Sequence, residues 1–228
     1  MVSETTKKFI EYAMENKDAF NANEKATIIS NIDNVDKIDK RDILPNILLQ
    51  IYDELGILPD YMNPYKAFSE LISSIYDIRD MNIVEIGGGT IPRLAKRLAD
   101  MQTRGTVTVY DPNLYLKNSY PNIKLIKRNF YPITNVDRKD LLVGLLPCGA
   151  SSTIVRSAIK NNKDFMIALC DSCNFYEYFD GYELDENWPY SFIEKASSMV
   201  EENNLGKLKV KHIKEIGLRY PIIYNDRG

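Results

Sequence analysis

The sequence predicts an α/β chain: a mainly parallel sheet covered on both faces and ending in an antiparallel strand, preceded by a helical N-terminal region over residues 1–80. Three observations carry this. From Met81 onward, short apolar runs rich in β-branched residues alternate with helical stretches, the pattern of strands joined by crossover helices. A triple glycine, Gly87, Gly88 and Gly89, separates the first run from a helical pattern. The charge balance shifts at the same place: residues 1–80 carry 9 Lys/Arg and 15 Asp/Glu, whereas residues 81–228 carry 20 and 17.

The elements follow in order. Residues 4–17, 22–32, 43–56 and 63–78 place apolar side chains at helical spacing, as in Leu44, Ile47, Leu48, Ile51 and Leu55, with Asn, Asp, Gly or Pro between the segments. Strands are expected at 82–87, 106–111, 123–128, 141–146 and 164–170, each followed by a turn signal. Their near-continuous apolar character fits a parallel sheet buried on both faces. A helix is expected near 190–203, and the runs 207–213 and 218–224 lie close enough in sequence to pair as antiparallel neighbours. The second domain is therefore expected to span 81–228.

Composition excludes several classes. The 228 residues are 44% hydrophobic and 27% charged, as in an ordinary globular chain. No apolar run reaches the roughly 20 residues of a membrane span, and charges run through the first 17 residues where a signal peptide would be apolar, so a cytoplasmic location is expected. The three cysteines, Cys148, Cys170 and Cys173, are too few for a disulfide framework. A net charge of -3 supplies no global attraction to phosphate backbones.

The glycines follow a strand and open a helix, which puts them at the carboxyl edge of the sheet, where open α/β folds bind ligands. Thr90 is expected to cap that helix and Pro92 to sit in its first turn. Asp111 ends the next strand, 22 positions after Gly89, where a carboxylate can bridge the two hydroxyls of a ribose. Nicotinamide dinucleotides and S-adenosylmethionine both carry such a ribose. Pro92 occupies the third glycine position of the dinucleotide fingerprint, which disfavours the dinucleotide.

With these residues in place, the chain resembles the class I S-adenosylmethionine-dependent methyltransferases. The matching stretches are "VEIGGGT" (84–90), "VYDPN" (109–113), "KRNFYP" (127–132) and "DLLVGLLPC" (140–148), and the resemblance covers about residues 81–224. It implies a Rossmann-like seven-stranded sheet with a reversed last strand, and S-adenosylmethionine as cofactor. It also implies roles for residues: Gly87, Gly88 and Gly89 beside the methionine part, Glu85 orienting that loop or the cofactor's amino group, and Asp111 on the ribose. Asn129 and Phe130 would then meet the adenine, against an equally simple reading as a polar turn and a core aromatic. The usual last glycine is absent after Thr90, where Ile91 and Pro92 follow.

The catalytic side is less legible. "LPCGASS" after the fourth strand lacks the Pro-Pro-aromatic motif that the resemblance would require for methylating base amino groups. Transfer from a sulfonium needs placement more than acid-base chemistry, so no catalytic residue is assigned. His212, the sole histidine, is read as structural, and the cysteines as small buried hydrophobes in preference to a metal site. Residues 171–186 hold six acids, five aromatics and no base. They form either a solvated acidic loop or a lid in which Tyr176, Glu177, Tyr178 and Asp180 draw in a cationic or amine-bearing acceptor. The sequence thus predicts a methyltransferase acting on a small molecule, with the N-terminal helices capping the site. The alternatives are a non-catalytic relative that binds S-adenosylmethionine or its demethylated product, and an RNA or protein methyltransferase using the thin basic surface of "KNNK" (160–163) and "KLKVKHIK" (207–214).

Overall fold

The computed structural model describes residues 2–37, 44–115, 120–136, 138–170, 176–178, 181–183, 187–213 and 220–228. The N-terminal region forms α1 (Glu4–Glu15), α2 (Ala22–Ser30), α3 (Asn46–Glu54) and α4 (Pro64–Ile75). Polar breakers start three of them. Ser3 Oγ accepts the Thr6 N–H at 3.0 Å, and Asn63 caps α4 with Pro64 in its first position. Asn21 and Glu24 form a reciprocal capping box at α2, each side chain taking the other's backbone N–H.

The remainder runs β1 (Asn82–Ile86), α5 (Arg93–Asp100), β2 (Thr106–Tyr110), β3 (Ile123–Ile126), β4 (Leu141–Leu145), α6 (Ser151–Asn161), β5 (Asp164–Ala168), β6 (Tyr176–Tyr178), β7 (Gly181–Glu183), α7 (Tyr190–Glu202), β8 (Lys207–His212) and β9 (Pro221–Asp226). Seven strands make one sheet in the order β3-β2-β1-β4-β5-β9-β8. The pairs among β1 to β5 are parallel, and β9 runs antiparallel to both β5 and β8. This is the Rossmann-like, mainly parallel sheet with a reversed last strand that was expected. The reversed strand lies one place in from the edge, and β8, largely exposed, forms the edge itself.

Side-chain alternation assigns the two faces. Ile83 of β1 faces a core with Phe68 and Ile72 of α4 and Leu94 and Leu98 of α5, whereas Val84 and Ile86 face a core with Ile154 of α6 and Phe192 of α7. The helix α4 thus covers the sheet, although it lies before residue 81. A third core belongs to α1, α2 and α3, where Phe9, Ile28, Leu48, Ile51 and Tyr52 pack together with Ile91 from the loop after β1.

The start of α5 differs from expectation. The helix begins at Arg93, with Pro92 at its N-cap position and no side-chain cap. Thr90 instead turns its hydroxyl to Glu24 of α2, and one orphan N–H of the first turn, that of Ala95, donates to the Glu85 carboxyl beneath. The Arg93 N–H, the donor that a Thr90 cap would have taken, instead donates to the Ile91 carbonyl at 2.8 Å.

Candidate functional site

A cavity of about 400 Å³ opens at the carboxyl ends of β1, β2 and β4, a volume suited to a small ligand or cofactor. One wall is the sheet edge: Gly87 and Gly89 after β1, Asp111 and Asn113 after β2, Leu146 and Pro147 after β4. The facing wall comes from the N-terminal helices, with Asn23, Glu24 and Thr27 of α2 and Asn46, Ile47 and Gln50 of α3.

The glycine turn has both the backbone form and the crowding that its residue type implies. Gly87 and Gly89 have φ of 80° and 71°, a region that other residues rarely adopt. Part of the close approach is made by the protein itself. A Cβ on Gly87 would lie 3.0 Å from Pro147 Cα, one on Gly88 would lie 2.5 Å from Val109 Cγ1, and one on Gly89 would meet the Gln50 amide. Gln50 is buried, and its Oε1 accepts the Ile91 N–H at 3.1 Å. The turn is therefore built to receive α3 as well as to face the cavity.

Asp111 is the anchor between the two loops. Its Oδ2 accepts the Gly89 N–H at 2.9 Å and its Oδ1 accepts the Asn113 N–H at 2.7 Å. A carboxylate offers about four acceptor positions, so each oxygen keeps capacity for a hydroxyl while the side chain stays fixed. That is the requirement for holding a ribose diol. The described residues lining the cavity include two carboxylates, Asp111 and Glu24, and no Lys, Arg or His. A ligand carrying positive charge suits this lining; a pyrophosphate would face two carboxylates with no side-chain countercharge.

Four of the other expected site residues, Glu85, Gly88, Asn129 and Phe130, lie outside the cavity lining. Glu85 is buried beneath the turn, on the sheet face covered by α5, and burial together with the nearby Asp111 charge pushes its carboxyl up to about 8 against the Ala95 hydrogen bond. It is a protonated support of the loop at neutral pH. Gly88 packs on Val109. Phe130 sets its ring edge-on to Tyr110, centroids 5.2 Å apart, inside the core on the α6 and α7 face. Asn129 is exposed, and its amide donates to the Tyr131 hydroxyl at 3.4 Å.

For the acidic, aromatic segment, the described part is an antiparallel hairpin of β6 and β7, with Tyr176 opposite Glu183 and Tyr178 opposite Gly181. It packs near the turn Cys148–Ala150, which directly follows Pro147 of the cavity wall, and near α6. Asp180 and the side chains of Tyr176, Glu177 and Tyr178 lie outside the described residues, as do Cys173 and the Cys148 side chain. Cys170 is buried, and its carbonyl accepts the Trp188 indole N–H. His212 is exposed on the edge strand β8. Among the described residues no group of three His, Cys, Asp or Glu is placed to hold a metal, and no helix is long and apolar enough to cross a membrane.

The residues that sequence reasoning passed over are those of the second wall. Asn21 and Glu24 are readable as a helix cap, but the 2.6 Å hydrogen bond from Thr90 Oγ1 to Glu24 Oε1 joins residues 66 positions apart. Asn113 stands inside the "VYDPN" stretch and could have been assigned to the site from its nearness to Asp111.

No protein-family model matches the chain, and no curated protein matches its sequence. Solved structures with a similar path include magnesium protoporphyrin IX methyltransferase from Synechocystis PCC 6803 with bound SAM, at 11% identity over 81% of this chain and 86% of that one, TM-score 0.45. Fibrillarin from Aeropyrum pernix in complex with S-adenosyl-L-methionine aligns at 15% identity over 72% and 76%, TM-score 0.44. Precorrin-6y C5,15-methyltransferase from Geobacter metallireducens aligns at 12% identity over 70% and 86%, TM-score 0.43. At this level of likeness the fold rests on the strand order itself.

Proposed function

We propose that this chain is an S-adenosylmethionine-dependent methyltransferase acting on a small molecule. The observation that carries the reading is the cavity at the carboxyl edge of β1, β2 and β4, where a fixed carboxylate with spare acceptor capacity meets a positive-φ glycine turn and, among the described residues, no base lines the walls. The residues fit that cofactor. Asp111 would take the ribose hydroxyls, and Gly87 and Gly89 would let the methionine part lie against the backbone. When bound, the cofactor supplies a methyl group on a sulfonium, already activated toward a nucleophile. The chain's own task is placement: the turn and Asp111 fix one side, and α2 and α3 form the other.

The lining, with two carboxylates and among the described residues no base, supports a small acceptor over RNA or an extended protein surface. The cavity walls facing the sheet edge are helices of the same chain, and the exposed lysines Lys207, Lys209 and Lys211 lie on the edge strand β8. Incubation with S-adenosylmethionine labelled in its methyl group and a cell extract, followed by size separation, tests this. Label is expected in the low-molecular-weight fraction. Label in RNA or protein overturns the small-molecule reading, and tight binding of the cofactor with no transfer to any fraction supports a non-catalytic binding protein instead.

A further inference from the structure

The wall formed by α2 and α3 has a chemistry of its own. It presents amides and a hydroxyl, from Asn23, Asn46 and Thr27, around a single charge, Glu24. We propose that this wall is the acceptor subsite and that Glu24 selects an acceptor bearing a protonated or hydrogen-bond-donating amine. The inference rests on the cofactor reading above, because it assigns the sheet-edge wall to the donor and the helical wall to the acceptor.

Three features of Glu24 support the assignment. Its side chain is held in place, since Oε1 accepts the Thr90 hydroxyl at 2.6 Å and Oε2 accepts the Asn21 N–H at 2.8 Å. Both partners are neutral donors, among the described residues no cation pairs with the carboxylate, and each oxygen retains a further acceptor position. The residue is only partly exposed, which shields its field from bulk water. The wall is also rigid with respect to the donor side. Gln50 is bonded to Ile91, and Arg93 of α5 is buried against Asp53 and Glu54 at the end of α3. A subsite that discriminates by charge needs such fixed groups, because a mobile carboxylate would follow any ligand. The surrounding amide and hydroxyl oxygens accept the remaining N–H groups of an amine.

The bland account of Glu24 is its capping box alone. The variant Glu24→Gln separates the two, because Gln serves at the third helical position of a capping box while carrying no charge. Wild type and variant are each saturated with S-adenosylhomocysteine, as judged by their own calorimetric titrations. Benzylamine, benzyl alcohol and benzoate, which share a ring and differ in charge, are then titrated and followed by saturation-transfer NMR. The expected result is that benzylamine binds the loaded wild type more tightly than benzyl alcohol or benzoate, and that Glu24→Gln weakens benzylamine by about tenfold or more, as for loss of a charged hydrogen bond. Equal benzylamine affinity in wild type and variant, no benzylamine binding, or binding of benzoate as strong as that of benzylamine overturns the assignment. Failure of the wild type to bind S-adenosylhomocysteine overturns the cofactor reading separately, before any amine is added.

Discussion

Glu85 and Asp111 end neighbouring parallel strands, yet their surroundings push them toward opposite tasks. Asp111 meets two backbone N–H groups and the cavity, whereas Glu85 is closed under the glycine turn with one of its oxygens unpartnered. Burial raises the Glu85 carboxyl to about 8 from an ordinary value near 4.5, so the folded chain holds a proton there that the unfolded chain has lost. By linkage, the contribution of this site to stability is complete below about pH 4.5 and declines as pH rises through about 8. The expected outcome is that Glu85→Gln, neutral at every pH, flattens the fall in melting temperature of the wild type between pH 5 and pH 9. A parallel loss in both proteins would show that the carboxyl is ionised in the fold. The acid and the glycines were legible in the sequence because residue type and spacing alone mark a turn at a strand end. That Glu85 supports the turn from below was not, because its partner Ala95 is chosen only when α5 folds back over β1.

Among the elements, α5 shows how tertiary contact overrides a local signal. Thr90 and Pro92 read as a helix start, but the hydroxyl is claimed by Glu24 and the helix begins at Arg93. The next residues bind the N-terminal layer: Arg93 and Arg97 converge on Asp53, whose carboxylate also accepts the Asn63 amide at 2.5 Å. Burial alone would push the Asp53 carboxyl up, but these partners outweigh it and hold it below the usual range. Asp53 and Arg93 are 4% and 5% exposed, so removing one partner leaves charge buried without compensation. Asp53→Ala is therefore expected to cost about 3 to 5 kcal/mol in a denaturant titration. A loss near zero would mean that water reaches the pair and that α3 is not held by it. At the other end of the sheet, β9 extends through Asn225 and Asp226, past the expected end of the run at 224. Asn225 is buried because its Oδ1 accepts the Phe165 N–H while its Nδ2 donates to Asp164 Oδ1 and to the Leu205 carbonyl, contacts invisible to local pattern.

Across the whole molecule, the alternation of apolar runs with helical stretches made the mainly parallel sheet legible, and the glycines after β1 marked the sheet edge where the cavity lies, whereas the seven strands with one reversed were implied by the resemblance. The second wall was not legible. Residues 1–80 gave helices but no address, since Glu24 and Gln50 meet the turn at separations of 66 and 41 residues. Only assembly of the third core against Ile91 brings α2 and α3 over the sheet edge. The consequence is a cavity shared between two regions of the chain, lined by the carboxylates Asp111 and Glu24 and, among the described residues, by no base. Isothermal titration of the wild type and Asp111→Ala with S-adenosylmethionine and with NADH tests that account most directly. It predicts that S-adenosylmethionine binds the wild type, that Asp111→Ala weakens it by about ten- to a hundredfold through loss of a charge-assisted hydrogen bond, and that NADH does not bind. Binding of NADH with no heat from S-adenosylmethionine would contradict it.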